Sequence, residues 1–167
     1  MYTSVAEFVQ DWTRESGISL KVHRALSDAS LSTKADAEAN SLGQIAWHMV
    51  VMIGLTGAQL GLEVKAPARG TPTPARAAEI ADAYETAARS LAELAGSLIE
   101  DARLGKEVSY FGRTLPTAAV LQSLVRHQVH HRGQMTILMR LAGAVPPGVY
   151  GPSREEAAAL RARPGAP

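Results

Sequence analysis

Apolar residues recur at helical spacing in four long stretches of the chain. The first holds Val5, Phe8, Val9, Trp12, Leu20, Val22, His23 and Leu26 on one stripe. Ser4 and Glu7 precede the stripe at capping-box spacing, which predicts a helix start there. A polar stretch, residues 27–40, loosens the pattern. Ser41 and Gln44 then form a second capping box, followed by a run that is apolar on nearly every side and predicts the most buried helix. Pro67, Gly70, Pro72 and Pro74 mark a surface linker, with Thr73 as N-cap and Pro74 opening a third helix. Ile80, Tyr84, Ala87, Leu91, Leu94, Ala95 and Leu98 form its buried stripe, which is expected to end near Gly105. Residues 106–113 are too short for a helix and predict an extended crossing segment. A fourth helix begins around Leu115 and Pro116 and stops at Gly143. Beyond a Pro/Gly run, Ser153 and Glu156 cap a short last helix, and residues from Arg163 to Pro167 are expected to fray.

The pattern predicts an all-α fold, a four-helix bundle with a long connection and a short C-terminal helix. It is expected to be a single domain over residues 1–167, with residues 152–167 as the short helix and tail. Long connections between helices one and two, and two and three, leave the order around the bundle open. Composition agrees: aromatic residues make up only 5%, and abundant alanine suits close helix packing better than a β-sandwich. With 17 basic and 16 acidic residues, no global charge points to nucleic acid, a membrane surface or a polyanionic substrate. The lack of cysteine excludes disulfides and Cys-ligated zinc, so any thiol chemistry needs an external thiol. No signal-peptide pattern or long apolar run is present, and the expected location is the cytoplasm.

The candidate chemistry lies in residues 120–143. His127 and His131 fall about 40° apart on the helical wheel, one turn from each other on one face. Gln134 falls about 20° to the other side of His127, whereas Arg132 and Arg140 are expected to point away into solvent. His48 is the only ionisable residue of the second helix, with Gln44 one turn before it. A buried histidine needs partners for its nitrogens, and a core hydrogen bond answers that need as well as a metal does. Three histidines on two apolar seams, however, suit an ion with open coordination positions. Gln128 follows His127 where a zinc peptidase of the HExxH type would carry its glutamate, which disfavours that mechanism. His130 lies 100° from His131 and reads as a pocket-rim residue. His23, Trp12 and Trp47 read as core. Tyr110, Phe111 and Tyr150 occupy non-helical segments that could cover a bound ion.

His48 on the second helix, followed by His127-x-x-x-His131-Arg132-Gly133-Gln134 on the fourth, resembles the DinB/YfiT-like family of metal-binding bundles. (The DNA polymerase that shares the first name is unrelated.) The resemblance extends to Phe111-Gly112-Arg113 and to the tail GVYGPSREE. It implies one divalent metal ion on His48, His127 and His131; histidine donors suit the transition metals zinc, nickel and iron alike, and by their helical positions Gln44, Gln134 and His130 read as outer or pocket residues. The resemblance also implies a bundle in helix order one-two-four-three or a similar one, and the homodimer frequent in the family. The expected function is a metal-dependent enzyme that activates water or an exogenous low-molecular-weight thiol, for transfer or hydrolysis of a small-molecule substrate. Neither nucleic acid nor membrane is expected as a partner. The alternative is a non-enzymatic, metal-binding, dimerising helical module of a stress response.

Overall fold

The computed structural model describes residues 1–163. The frayed end expected from Arg163 to Pro167 lies, from position 164 on, outside the described residues. Four long helices form the bundle: α1 (Val5–Arg24), α2 (Leu42–Gln59), α3 (Ala77–Leu98) and α4 (Thr117–Leu141). A short α5 (Arg154–Arg161) follows. α1 packs against α3 and α4, and so does α2, so α1 and α2 stand diagonally opposite. The order around the bundle is therefore one-three-two-four, which differs from the one-two-four-three order named for the resemblance in placing α1 beside α3 and α4. It places α2 and α4, the two histidine-bearing helices, side by side.

Phe8, Trp12, Met49, Ile53, Tyr84, Leu91, Leu121 and Leu124 fill the common core. Both tryptophans belong to it and both are satisfied: the Trp12 indole donates to the Ala88 carbonyl and the Trp47 indole to the Thr71 carbonyl, each at 2.9 Å. At α2 the segment after the helix folds back against Gly54 and Gly57. A Cβ on Gly54 would lie 2.7 Å from the Ala66 side chain, and one on Gly57 would collide with Val64.

The expected helix ends hold at α2 and α4 and shift at α3. Ser41 and Gln44 form the complete capping box. At α1 only half of it forms, because the Glu7 carboxylate accepts from Thr3 N–H at 2.8 Å and leaves Ser4 N–H alone. α3 begins at Ala77, not at Pro74, and ends at Leu98, well short of Gly105. Its N-cap Arg76 supplies no side-chain acceptor; Asp28, from the α1–α2 connection, accepts the Ala77 N–H at 2.7 Å instead. A tertiary contact does the work of a local cap.

Residues 106–113 do not form a single crossing segment. They contribute to an antiparallel hairpin of β1 (Glu107–Tyr110) and β2 (Arg113–Pro116). Phe111 and Gly112 make its two-residue turn at φ 48° and 79°. A turn with both central residues left-handed matches the right-handed twist of the strands.

His23 is fully buried, stacked on Tyr84 with ring centroids 4.1 Å apart. Its Nδ1 donates to the Ser19 carbonyl at 2.8 Å, and its Nε2 faces the Ala46 carbonyl of α2 at 3.3 Å. Burial pushes its pKa down to about 4, against the opposing pull of the two carbonyls. The folded pKa is thus below the unfolded value, so the unfolded chain binds more protons between the two. The resulting stability is complete above about pH 6.5 and drains away as pH falls toward 4, by roughly 3 kcal/mol for this group. Urea unfolding at pH 7 and pH 5 checks this: His23→Gln is expected to flatten the difference. An unchanged pH slope in that variant would remove His23 as its source.

Candidate metal centre

Helical spacing places His127 above His131 on α4, and the adjacency of α2 brings His48 to meet them. His48 Nε2 lies 2.9 Å from His127 Nε2, and His131 Nε2 lies 3.0 Å from the same atom. The candidate ligand atoms of all three fall within 4.8 Å of one another. The outer face of His48 is exposed and the other two rings are half-buried, so the cluster opens to solvent on one side.

Gln134 decides the tautomer of His131. Its Oε1 accepts from His131 Nδ1 at 2.7 Å, which puts the ring proton there and leaves the Nε2 lone pair free toward the cluster. His127 Nδ1 is buried without a hydrogen-bond partner among the described residues. Burial pushes the His127 pKa down to about 3, reinforced by the charges His131, His48 and His130 would carry. Burial and then His131 lower His48. Burial lowers His131 as well, with the Gln134 bond opposing and His130 adding. The three rings are therefore neutral at ordinary pH. Neutral rings with one proton each cannot satisfy both short nitrogen–nitrogen contacts when His131 Nε2 holds a lone pair. A cation among the three atoms turns that repulsion into attraction, so the donor set fits a divalent metal ion.

The remaining candidates separate cleanly. Gln44 does not approach the cluster through its amide oxygen, which accepts the Ser41 N–H at 2.8 Å and belongs to the helix cap. His130 is exposed, its ring centroid 4.9 Å from that of His131, and lies outside the three-histidine group. Tyr110 packs into the core, Phe111 sits at the hairpin tip, and neither lines the cleft beside His131. Tyr150 instead gives its hydroxyl hydrogen to the Glu15 carboxylate at 2.7 Å. Arg132 is the clearest correction: it is 1% exposed, bound to Glu15 and Ser19 of α1, and also donates to the Tyr150 hydroxyl. Arg140 is not free in solvent either, pairing through both guanidinium nitrogens with Glu155 of α5 at 2.7 Å.

Gln128 is the residue that sequence reasoning undervalued. It is fully buried, accepts from the Tyr84 hydroxyl at 3.0 Å and donates to the Met49 carbonyl at 3.2 Å. Residues 49 and 128 each follow a cluster histidine, so this one amide ties α2 to α4 at the level of the site. A carboxamide amid an otherwise apolar seam was the available signal.

A cleft of about 360 Å³ adjoins His131 and Gln134, walled by the α1–α2 connection, α2 and the later turns of α4. A groove of about 280 Å³ between α1 and α3 touches none of the histidines. Among the described residues no helix is long and apolar enough to cross a membrane.

Fold and site together define a class: helical bundles in which two neighbouring helices turn three imidazoles toward one point beside an open cleft. The chain belongs to the DinB family, whose profile matches residues 1–165. It is 37% identical over 156 residues to the uncharacterised protein YrdA of Bacillus subtilis, covering 93% of each chain. A DinB-like protein of Bacillus cereus superposes with a TM-score of 0.85 at 38% identity, over 90% of this chain and all of that one. The DinB-like protein YjoA of B. subtilis shares the fold at 18% identity, with a TM-score of 0.67 over 89% of this chain and 99% of its own.

Proposed function

We propose that His48, His127 and His131 bind one divalent transition metal ion, zinc, nickel or iron, through their Nε2 atoms. The chain is then a metal-dependent enzyme that uses water or an exogenous low-molecular-weight thiol for transfer or hydrolysis. The supporting observation is the convergence of three Nε2 atoms, one of them with its lone pair aimed inward by Gln134. An ion on three imidazoles keeps coordination positions open and stabilises a deprotonated water or thiol near neutral pH.

The protein's own groups supply the rest. Gln134 holds the His131 ring in one tautomer and orientation. Gln128 fixes the separation of the two histidine-bearing helices. Among the described residues no carboxylate belongs to the cluster, and the exposed His130 ring stands beside His131 at its edge. With no cysteine in the chain, the thiol comes from solution. A homodimer in the cytoplasm is part of the proposal, and light scattering on the purified protein tests the assembly.

Purification without chelators, followed by elemental analysis, is expected to give one divalent ion per chain. Turnover of a panel of electrophiles is expected to depend on added thiol or, for hydrolysable esters, on the metal alone. Stoichiometric metal with a chelator-sensitive melting temperature and no turnover on either panel would instead favour a metal-stabilised, non-enzymatic module. Absence of any stoichiometric metal after reconstitution would end the proposal.

A further inference from the structure

We infer that the cleft beside His131 receives an uncharged small molecule, apolar along its body and carrying a hydrogen-bond-accepting oxygen at the end nearest the histidines. This rests on the proposed function and names the class of its second substrate. The volume, about 360 Å³, lies at the small end of the range for small-molecule sites, roughly 300–1,000 Å³. Ala39, Ile45 and Ile137 give it apolar walls on three different segments of the chain. No aspartate, glutamate, lysine or arginine among the described residues lines it. Lys34, Asp36 and Glu38 sit on the neighbouring connection, yet none of them contributes to the lining. A charged substrate group would shed its hydration there and find no counter-ion.

The polar edge of the cleft is two carboxamides, Asn40 and Gln134. Gln134 has its oxygen committed to His131 Nδ1, which leaves its N–H groups as donors with no protein acceptor among the described residues. Those donors stand next to the cluster and match an ester, amide or epoxide oxygen better than a cationic or apolar group. Asn40 makes no side-chain hydrogen bond among the described residues and adds a second uncharged partner farther out. One amide thus serves two ends: its oxygen orients a histidine and its nitrogen recognises the ligand.

Three probes that share a phenyl ring and differ in charge test this on the zinc-loaded full chain: benzamide, benzenesulfonate and benzyltrimethylammonium, followed by amide chemical shifts in heteronuclear NMR. Benzamide is expected to perturb Ala39, Ile45 and Ile137, with each charged probe at least about tenfold weaker. Ile137 is 63% exposed, so Ile137→Asp keeps the fold; it is expected to weaken benzamide and favour the cation. Ala39→Phe, which fills the cleft without adding charge, is expected to exclude all three. The inference is overturned if benzamide fails to bind at millimolar concentration, if a charged probe matches it, or if both substitutions leave its binding unchanged. Zinc content measured on the same sample separates the two readings. Stoichiometric zinc without probe selectivity overturns the cleft assignment alone, and selectivity without zinc overturns the metal assignment alone.

Discussion

His127→Ala is expected to abolish stoichiometric metal binding, with affinity falling by more than the roughly 10–100-fold typical of losing an outer-shell partner. His127 is the hub of the cluster, since both short nitrogen contacts end on its Nε2. Removing it leaves two imidazoles on different helices and only two donors for the ion. The metal-free fold should tolerate the change, because the ring forms no hydrogen bond through its buried Nδ1 and burial already disfavours its charged form. Melting curves with and without chelator therefore give a clean signature. In the wild type, an ion at a thousand times its Kd contributes about 4 kcal/mol, so chelation should lower Tm by several degrees. In the variant chelation should do nothing. A variant that keeps wild-type zinc affinity would show that the cluster is not the binding site.

What the sequence made legible was whatever lies within one helix. The His127–His131 spacing needs only the α-helical period, and the buried stripes need no more. Such stripes say which face is covered but not by which neighbour, so the one-three-two-four order was out of reach. Gln44 and Gln134, each near a histidine, look alike in sequence and differ in place. Gln44 is three residues after a serine at a helix start, where an unpaired backbone N–H claims its oxygen, whereas Gln134 is mid-helix and free to reach His131. The α3 start was misplaced because its acceptor, Asp28, is 49 residues away in the chain. The hairpin was hidden by Phe111, a bulky residue at a left-handed turn position that glycine, asparagine or aspartate usually occupies. Arg132 was misassigned for a related reason: on a helical wheel it lies off the histidine face, and only the fold reveals Glu15, 117 positions earlier, waiting there.

That buried pair carries the largest expected effect on stability. Glu15→Ala should destabilise the fold by about 3–5 kcal/mol, because it strands a guanidinium that cannot shed its proton. Arg132 is 1% exposed and Glu15 3%, so water cannot replace the lost partner without opening the α1–α4 contact. For a chain of this length the loss corresponds to a fall in Tm of about 10 °C. Tyr150→Phe removes only a hydroxyl shared between the two charges and is expected to lose about 1 kcal/mol. Replacing both charges, Glu15→Leu with Arg132→Met, should recover much of the deficit, since a well-packed apolar pair avoids the desolvation that the ion pair had to overcome. Equilibrium unfolding of the three variants in chelator checks the order, and a Glu15→Ala loss below about 1 kcal/mol would mean that Arg132 finds compensation elsewhere. Zinc stoichiometry should survive in all three variants. Arg132 leaves α4 on a different side from the histidines, and Gln128 still ties α4 to α2 at the cluster. The bundle thus separates its two tasks around one helix: α4 is anchored to α1 by charge and presented to α2 for chemistry.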